Sequence, residues 1–224
     1  MATHPQRDTY PDRWNLPVRG KVMSEEQYRE LERLSPDRKY EYIDGAAYMM
    51  SGGSVGHDLI NYNVRVALDL NFRSGPCTVF GVDVQVLIGV KKNGKPHFVY
   101  PDATVSCDVS DRRTNNTLIE SPRVVVEVLS PGTEIRDRGI KFKAYQNCPT
   151  IQEIVLVNQF APYVEVWQRN EQHPEDPKAW HYRHYGPGEH VELASLDIQL
   201  EMADIYRRVE FAEYPEDDDE LDWR

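Results

Sequence analysis

Apolar and polar positions alternate along this chain with two different periods, which predicts both helices and strands. Apolar residues recur at helical spacing over residues 55–72, so a long amphipathic helix is expected there. Ser24 and Gln27 fit a capping box at the start of a helix that runs to about Leu34. A third helix is predicted over residues 134–146, directly before a Cys-Pro pair that ends it.

Strands dominate the rest of the chain, where β-branched and aromatic residues alternate with polar ones. An Asp44-Gly45 turn joins the first two strands, since Asp-Gly supplies the positive φ angles of a two-residue hairpin. The predicted strands cover residues 40–43, 46–50, 79–88, 97–107, 123–129, 153–158, 163–168, 180–185 and 191–193. A turn is expected over 92–95 and a polar loop over 108–122. This order of elements predicts a single α/β domain built on a mixed sheet.

The composition agrees with one globular domain and two terminal segments of different character. Hydrophobic residues make up 40% of the 224 positions, which is enough for a core of ordinary size. Residues 1–22 are polar and rich in proline, which predicts an N-terminal arm. Residues 210–224 form an acidic C-terminal tail. The folded domain is therefore expected to cover residues 23–209.

The charge balance limits the ways in which this protein can bind nucleic acid. The net charge is −11, from 37 acidic and 26 basic residues. Proteins that coat nucleic acid without specificity need clustered lysine and arginine, so the charge balance argues against this class. A local basic site within an acidic protein remains compatible with the sequence.

Apolar run lengths and cysteine spacing indicate the compartment. The longest apolar runs fall far short of the roughly 18 residues that a membrane span needs, and the first residues lack an apolar leader. Cys77, Cys107 and Cys148 are odd in number and widely spaced. This pattern favours buried thiols in a reducing compartment over a disulfide framework or a zinc site. We therefore expect a cytoplasmic protein without membrane association.

Two acidic residues occur in predicted strands where a carboxylate needs a partner. Glu127 interrupts an apolar strand, and burying an ionised carboxylate is costly unless it is paired or bound to a metal. Asp102 begins another strand, directly after Pro101. If these strands are neighbours, the two carboxylates converge, and such a pair with its waters suits Mg²⁺. A salt-bridged core glutamate and an ordinary Pro-Asp turn are the alternatives.

A polar stripe follows on the third predicted helix. Asp137, Lys141 and Tyr145 are spaced i, i+4, i+8 and share one helix face. A lysine that points back over the strand end would hold or activate a water beside the metal. A surface Asp–Lys pair is the alternative explanation for this spacing.

Taken in order, these motifs resemble the Uma2 family, which belongs to the PD-(D/E)XK restriction-endonuclease-like nucleases. The resemblance covers roughly residues 24–170 and is specific as an ordered series. It is carried by Glu41 to Gly45, Tyr100 to Asp102, Val126 to Pro131, Thr133 to Asp137, Lys141 and Tyr145. The family resemblance implies a restriction-endonuclease-like mixed β-sheet core flanked by helices, with additional strands on the C-terminal side.

The resemblance also implies roles for individual residues. The superfamily places two acids and a lysine around Mg²⁺ to hydrolyse phosphodiester bonds. Asp102 matches the first acid and Glu127 the second. By resemblance, these two side chains and the main-chain carbonyl of Val128 would bind Mg²⁺, or alternatively Mn²⁺.

The chain departs from the superfamily pattern at Leu129, two residues after the second acid, where a lysine is expected. Lys141 on the following helix is the predicted replacement, as the Uma2 pattern implies. It would position the attacking water or offset developing charge. Lys143 is the second choice, because it points about 200° away around the helix.

Three other polar residues are weaker candidates. Glu41 in the early hairpin is predicted to reach the site, as an N-terminal acid often does in the superfamily; a solvent-facing strand glutamate is the alternative. Asp83 is either a third acid or a charge at a loop end. His57 either contacts a phosphate or helps to cap its helix. The tyrosines and tryptophans near the C terminus are interpreted as sheet packing and not as base-stacking platforms.

Two functions follow from these observations. The first is a Mg²⁺-dependent endonuclease that hydrolyses DNA, expected by resemblance to be a homodimer, because two cuts in duplex DNA are simplest with two related sites. The second is a non-catalytic interaction protein on a nuclease-like scaffold. The missing strand lysine and the acidic charge favour the second function.

Overall fold

The computed structural model describes residues 20–89, 96–173, 176 and 179–211 of the chain. Its helical segments are α1 (Glu25–Leu34), α2 (Val55–Asn71), α3 (Glu134–Arg136), a π-helical turn (Asp137–Lys141), α4 (Phe142–Asn147), a 3-10 turn (Ala194–Leu196) and α5 (Met202–Ile205). Its strands are β1 (Lys21–Val22), β2 (Tyr40–Ile43), β3 (Ala46–Met49), β4 (Thr78–Gly81), β5 (Gln85–Ile88), β6 (His97–Val99), β7 (Ala103–Ser106), β8 (Leu118–Ile119), β9 (Pro122–Leu129), β10 (Glu153–Asn158), β11 (Val164–Arg169), β12 (Trp180–Tyr185), β13 (His190–Leu193) and β14 (Ile198–Glu201).

The strands form a central sheet, a second sheet and a separate hairpin. The central sheet has the order β12-β11-β10-β9-β7-β4, in which β9 and β10 are parallel and the other neighbours are antiparallel. The second sheet has the order β1-β3-β2-β6-β5-β8, and β13 pairs with β14. The fold is therefore mixed α/β, as predicted.

Helices and the second sheet cover the two faces of the central sheet. One face packs against α2, the β13–β14 hairpin and α5, through a core that includes Leu68, Val126 and Val155. The other face packs against α4 and the second sheet, through residues that include Tyr145 and Leu156. Because β9 and β10 are covered on both faces, their sequences read as almost continuous apolar runs.

Local signals predicted the early elements correctly. Ser24 Oγ accepts a hydrogen bond from the Gln27 amide, and the Gln27 side chain accepts one from the Ser24 amide, which completes the capping box of α1. Asp44 and Gly45 have φ angles of 50° and 80°, as a two-residue hairpin turn between β2 and β3 requires. The predictions for α2, β9 and the strands β10 to β12 agree with the structure to within one or two residues.

Two strands that were predicted as continuous are each divided between the two sheets. Residues 79–88 form β4 in the central sheet and β5 in the second sheet, and a turn at Gly81–Val84 separates them. Residues 97–107 form β6 in the second sheet and β7 in the central sheet. The chain crosses between the sheets at these points, so Asp102 lies where the second sheet meets the central one. The short elements β1, β8, β14 and α5 and the 3-10 turn were not predicted. The predicted boundary of the N-terminal arm at residue 22 was wrong, because Lys21 and Val22 form β1 and pair with Ala47 and Ala46 of β3.

The cysteine prediction was wrong for two of the three residues. Cys77 and Cys107 form a disulfide. They stand directly before β4 and after β7, whose register pairs Thr78 with Ser106, so the fold brings the two sulfur atoms together across an antiparallel pair. The two cysteines are 30 positions apart in the sequence, so their spacing gave no indication that they lie close together. Cys148 is a buried free thiol, as expected.

Three predictions concern residues that lie wholly or mostly outside the described part of the chain. The turn expected over 92–95, most of the N-terminal arm and most of the acidic tail lie outside the part that the structure describes. Within that part, none of the helices has the length and apolar character needed to cross a membrane.

Candidate active site

A cavity of about 780 Å³ opens where the two sheets meet α2 and the helix that follows β9. Its lining includes Glu41 from β2, Asp102 at the start of β7, Glu127 from β9 and Lys141 from the π-helical turn. The structure therefore brings together at one cavity all four side chains that the sequence singled out for the site.

Asp102 and Glu127 are neighbours across two adjacent strands. In the antiparallel pair of β7 and β9, Ala103 is opposite Val126, so Asp102, directly before β7, lies beside Glu127. Asp102 Oδ2 accepts a hydrogen bond from the Val128 amide at 2.7 Å. The strand adjacency expected from the sequence is thus present.

Two side chains from α2 hold the other oxygen of Asp102. His57 Nε2 lies 3.0 Å and Asn61 Nδ2 lies 3.3 Å from Asp102 Oδ1. The two residues are four positions apart and so share one helix face. Burial lowers the pKa of His57, but the hydrogen bond and the charge of Asp102 outweigh it, so the pKa is raised above its model-compound value. His57 also donates its backbone N–H to Ser54 Oγ, the cap of α2.

Lys141 is the centre of a buried network of charges. Its Nζ lies 2.7 Å from Glu127 Oε1, 2.8 Å from Glu41 Oε1 and 3.3 Å from Asp137 Oδ1. Only 3% of the lysine side chain is exposed. Burial lowers the pKa of Lys141, but these carboxylates, Glu127 foremost, raise it well above its usual value. Lys141 therefore carries a positive charge at neutral pH.

The pKa of Glu127 is shifted in opposite directions by burial and by neighbouring charges. Desolvation by burial raises its pKa well above the usual value, Lys141 lowers it, and the charges of Asp137, Asp102 and Glu41 raise it further. Tyr145 donates its hydroxyl hydrogen to Glu127 Oε1, the same oxygen that faces Lys141. Metal-free Glu127 is therefore easier to protonate than an exposed glutamate.

A π-helical turn positions the lysine. Residues Asp137–Lys141 form this wider turn, and the Phe142 amide donates back to the Asp137 carbonyl. Such turns occur often at functional sites. The predicted stripe of Asp137, Lys141 and Tyr145 points at the end of β9, where burial raises the pKa of Asp137 as well. Lys143, the second-choice lysine, is exposed and does not contact this network.

Two residues that sequence reasoning missed complete the site. Asn61 holds Asp102, and its spacing of four from His57 was a signal that both lie on one helix face. Arg136 Nε lies 3.3 Å from Glu41 Oε2, and Arg136 lines the cavity. Its contact with Glu41 is made across a large sequence separation, so the sequence pattern gives no signal for it.

Asp83 is not part of the site. Its carboxylate is exposed and pairs with Lys39, and the hydrogen bond and charge of Lys39 lower its pKa. The interpretation as a charge at a loop end is therefore correct. Glu41 is only 1% exposed, which excludes the alternative of a solvent-facing strand glutamate.

The buried network carries excess negative charge. Glu41, Asp102, Glu127 and Asp137 supply carboxylates, whereas Lys141 and Arg136 supply the cations apart from the titratable His57. With all carboxylates ionised, four negative charges face two positive ones. Among the residues that the structure describes, no group of three or more His, Cys, Asp or Glu side chains is arranged to hold a metal ion.

The chain matches a known family over most of its length. The profile of the Uma2 family, described as "Putative restriction endonuclease", matches residues 25–209. The uncharacterized protein slr1290 of Synechocystis sp. is 32% identical over 189 residues, which cover 84% of this chain and 94% of that protein. The uncharacterized protein sll1609 of the same organism is 26% identical over 150 residues, which cover 66% of this chain and 82% of that protein.

One solved structure has the same fold. It is described as a "putative nuclease belonging to DUF820" from Anabaena variabilis ATCC 29413. The two structures are similar with a TM-score of 0.57, over 76% of this chain and 90% of that chain, at 16% sequence identity. At this identity the similarity concerns the fold alone, and it confirms the nuclease-like α/β architecture that the sequence predicted.

Proposed function

We propose, from the premise that this chain belongs to the Uma2 family, that it is a Mg²⁺-dependent endonuclease that hydrolyses phosphodiester bonds in DNA. The family description as restriction endonucleases supports nuclease activity. The observation that carries the proposal is the position of Lys141, 2.7 Å from Glu127 and on the same cavity as Asp102. Two acids and a lysine thereby line one cavity, although Leu129 stands at the strand position where the lysine is expected.

The residues at the cavity fit a divalent cation with hard oxygen ligands. Asp102 and Glu127 are adjacent carboxylates, and Mg²⁺ in proteins is commonly held by one or two carboxylates with several waters. With all four carboxylates ionised and His57 neutral, the buried network carries two excess negative charges, which equals the charge of one such ion. Asn61 Oδ1 is buried without a hydrogen-bond partner in the described part of the chain, which leaves an acceptor for a metal-bound water.

Asp102, Glu127 and the main-chain carbonyl of Val128 would hold Mg²⁺, and Mn²⁺ is the alternative ion. On a β-strand the N–H and C=O of one residue point to the same edge, so the Val128 carbonyl faces the Asp102 side, as its amide does. When bound, the metal polarises the scissile phosphate and lowers the pKa of a coordinated water.

The protein's own groups supply positioning and charge. Lys141 is fixed by Glu41 and Asp137, so its Nζ is held over the strand end without reorganisation. In this position it can orient the attacking water or offset the charge that develops on the phosphate. His57 and Asn61 fix the orientation of the Asp102 carboxylate from the side of α2.

Plasmid nicking tests this function. We expect the wild-type protein to nick supercoiled DNA with Mg²⁺ or Mn²⁺ and Glu127→Gln to lose this activity. Glu153→Gln is a matched control, because Glu153 is a buried glutamate on the adjacent strand β10 that binds Ser195 away from the cavity. Equal nicking by wild type and Glu127→Gln would assign the activity to another site or to a contaminant.

A second function is favoured by the burial of the same residues. The Glu127 and Lys141 side chains are 4% and 3% exposed, and each is paired within the protein. Such a network also suits a non-catalytic interaction protein, in which the ion pairs are structural. Absence of metal-dependent nicking by a folded wild-type protein would favour this function.

A homodimer remains a proposal that derives from the resemblance to nucleases of this class. Two related sites are the simplest way to cut both strands of a duplex. We expect sedimentation or scattering to give twice the mass of the chain at working concentration, and a monomer there would contradict the proposal.

A further inference from the structure

The strand register links the candidate acids to a second feature at the far edge of the central sheet. Asp102 lies beside Glu127, Glu127 is opposite Leu156, Leu156 is opposite Glu165, and Glu165 is opposite His184 on β12. Residues that are opposite each other on neighbouring strands share one face of the sheet. His184 therefore lies in the same row and on the same face as Glu127.

Aromatic rings surround His184 on this face. The Tyr163 ring stacks on His184 with centroids 5.5 Å apart, and the Tyr182 ring lies 5.9 Å from His184. The Tyr163 and Tyr182 hydroxyls are 3.0 Å apart. We call Tyr163, Tyr182 and His184 the aromatic patch. The Tyr163 and His184 rings are stacked at an interplanar angle of 28°, and the Tyr182 ring is tilted by 33° to that of His184.

The aromatic patch is open to solvent. Tyr182 is 44% exposed and His184 is exposed as well, whereas Trp167, opposite Tyr182 on the neighbouring strand, packs against the core. The interpretation of the C-terminal aromatic residues as sheet packing agrees with the contact between the Tyr182 and Trp167 rings, whose centroids are 4.7 Å apart. The exposed part of Tyr182 and His184 is accessible to a ligand in addition.

We propose that the aromatic patch stacks bases of a single-stranded segment of the DNA substrate beside the bond to be cleaved. This inference rests on the proposed function, which places the phosphodiester at Asp102 and Glu127. Exposed aromatic rings bind single strands because unpaired bases offer their π faces, whereas the bases of a duplex are already stacked on each other. A single strand is therefore the form of DNA that this surface fits.

The cavity and the aromatic patch lie on opposite sides of the helix that follows β9. Three strand-to-strand steps separate Glu127 from His184, or about 14 Å at the usual spacing. The helix that follows β9 lies over this face between the two features, since Arg138 contacts Glu165 and Phe142 packs against Trp167. A single strand that reaches both features therefore passes around this helix and spans more nucleotides than the roughly four that the direct distance of about 14 Å would need.

Charge around the patch favours stacking over electrostatic attraction. Arg138, the cation next to Glu165, is held by Glu134 at 2.8 Å and by Glu165 at 3.1 Å, so its charge is compensated. The chain as a whole carries −11. Phosphate contacts contribute little here, and we expect the affinity for single strands to depend only weakly on salt.

Binding of a fluorescent oligothymidylate to the full-length chain tests the patch. We expect fluorescence anisotropy to show that Glu127→Gln binds the single strand more tightly than a duplex of equal length. Addition of Tyr182→Ala and His184→Ala to this background should weaken single-strand binding at least about fivefold, the loss of one stacked base. Addition of Tyr62→Ala, which removes a tyrosine that is 56% exposed on α2, should leave the affinity unchanged.

The outcomes separate this inference from the proposed function. Binding is measured with Glu127→Gln, so it does not depend on hydrolysis. Equal affinity with and without the patch substitutions, equal affinity for duplex and single strand, or absence of binding would overturn the aromatic patch as a base-binding surface. Absence of nicking by wild type would instead overturn the proposed endonuclease activity, whether or not the protein binds the oligonucleotide.

Discussion

Lys141 Nζ lies 2.7 Å from Glu127 Oε1, although the glutamate is on β9 and the lysine is on the helix that follows it. At Leu129, where a strand lysine is expected by resemblance, the side chain is buried and belongs to the same core cluster as Tyr145. The helix thus supplies the cation that the strand lacks. It also adds Asp137 to the same contact, which fixes the lysine from a second side.

Loss of the Lys141 charge should destabilise the protein. Lys141→Met leaves Glu41, Glu127 and Asp137 buried around a neutral side chain, and removing one partner of a buried ion pair typically costs about 3–5 kcal/mol. Urea unfolding should show this loss. Lys143→Met is the matched control on the same helix, and because Lys143 is exposed its effect should stay within about 0.5 kcal/mol. Equal stability of the two variants would contradict the buried network.

The pH dependence of metal-free stability should reveal the raised pKa of Glu127. Burial raises this pKa above 4.5, so the native state holds the proton more tightly than the unfolded chain. The stabilisation is complete below pH 4.5 and is lost as the pH rises through the native pKa. We expect the unfolding free energy of wild type to fall, relative to that of Glu127→Gln, as the pH rises above 4.5. Parallel pH profiles of the two proteins would contradict a raised pKa.

At alkaline pH, loss of the Lys141 charge should lower the unfolding free energy of the protein. Its pKa is raised above 10.5, so its stabilising charge is fully present below pH 10.5 and is lost only above it.

Tyr145→Phe should weaken the site without removing any charge. The substitution deletes the hydrogen bond to Glu127 Oε1, which costs about 1.5–3 kcal/mol for a charged acceptor. It should also raise the pKa of Glu127 further, because that bond favours the ionised form. We therefore expect a lower unfolding free energy and a smaller rise in Tm on addition of Mg²⁺ below neutral pH. Tyr206→Phe, which removes a buried hydroxyl from the Asn158 carbonyl, should lower stability but leave the response to Mg²⁺ intact.

Mg²⁺ should stabilise the protein increasingly as the pH rises from about 5 to 8, since the ion favours the ionised form of the carboxylate pair. The gain is about 1.4 kcal/mol when Mg²⁺ is present at tenfold its Kd. Thermal unfolding with and without the ion measures it. Asp102→Asn should remove the effect, whereas Asp108→Asn should not, because the exposed Asp108 binds Ser110 in a surface loop. A Tm that is indifferent to millimolar Mg²⁺ over this range would exclude the metal site.

Local sequence signals predicted those parts of the fold that depend on neighbouring residues. The Ser24 cap and the Asp44-Gly45 turn are such cases, because each element end is satisfied within four positions. The strand predicted over 97–107 was too long, since its pattern continues through Asp102 while its partners change from one sheet to the other. The end of β6 and the start of β7 are set by the strands with which each one pairs, and the local sequence pattern does not specify those partners.

In the candidate site, too, the features within one element were predicted from the sequence, whereas the contacts between distant segments were not. Helical spacing predicted that Asp137, Lys141 and Tyr145 share a face, and the structure brings all three to the end of β9. Arg136 meets Glu41, and Cys77 meets Cys107, through contacts between distant segments. The hydrophobic periodicity of a single helix or strand carries no information about contacts between distant segments. These pairs therefore could not be predicted from the sequence and are seen only in the structure.

Mg²⁺-dependent nicking of plasmid DNA by Lys141→Met, beside wild type and Lys143→Met, tests most directly that Asp102, Glu127 and Lys141 form one catalytic site. Each protein is first shown to be folded by circular dichroism at the assay temperature. We expect wild type and Lys143→Met to nick at the same rate and Lys141→Met to be inactive. Nicking by folded Lys141→Met at the wild-type rate would show that Lys141 is not part of a catalytic site.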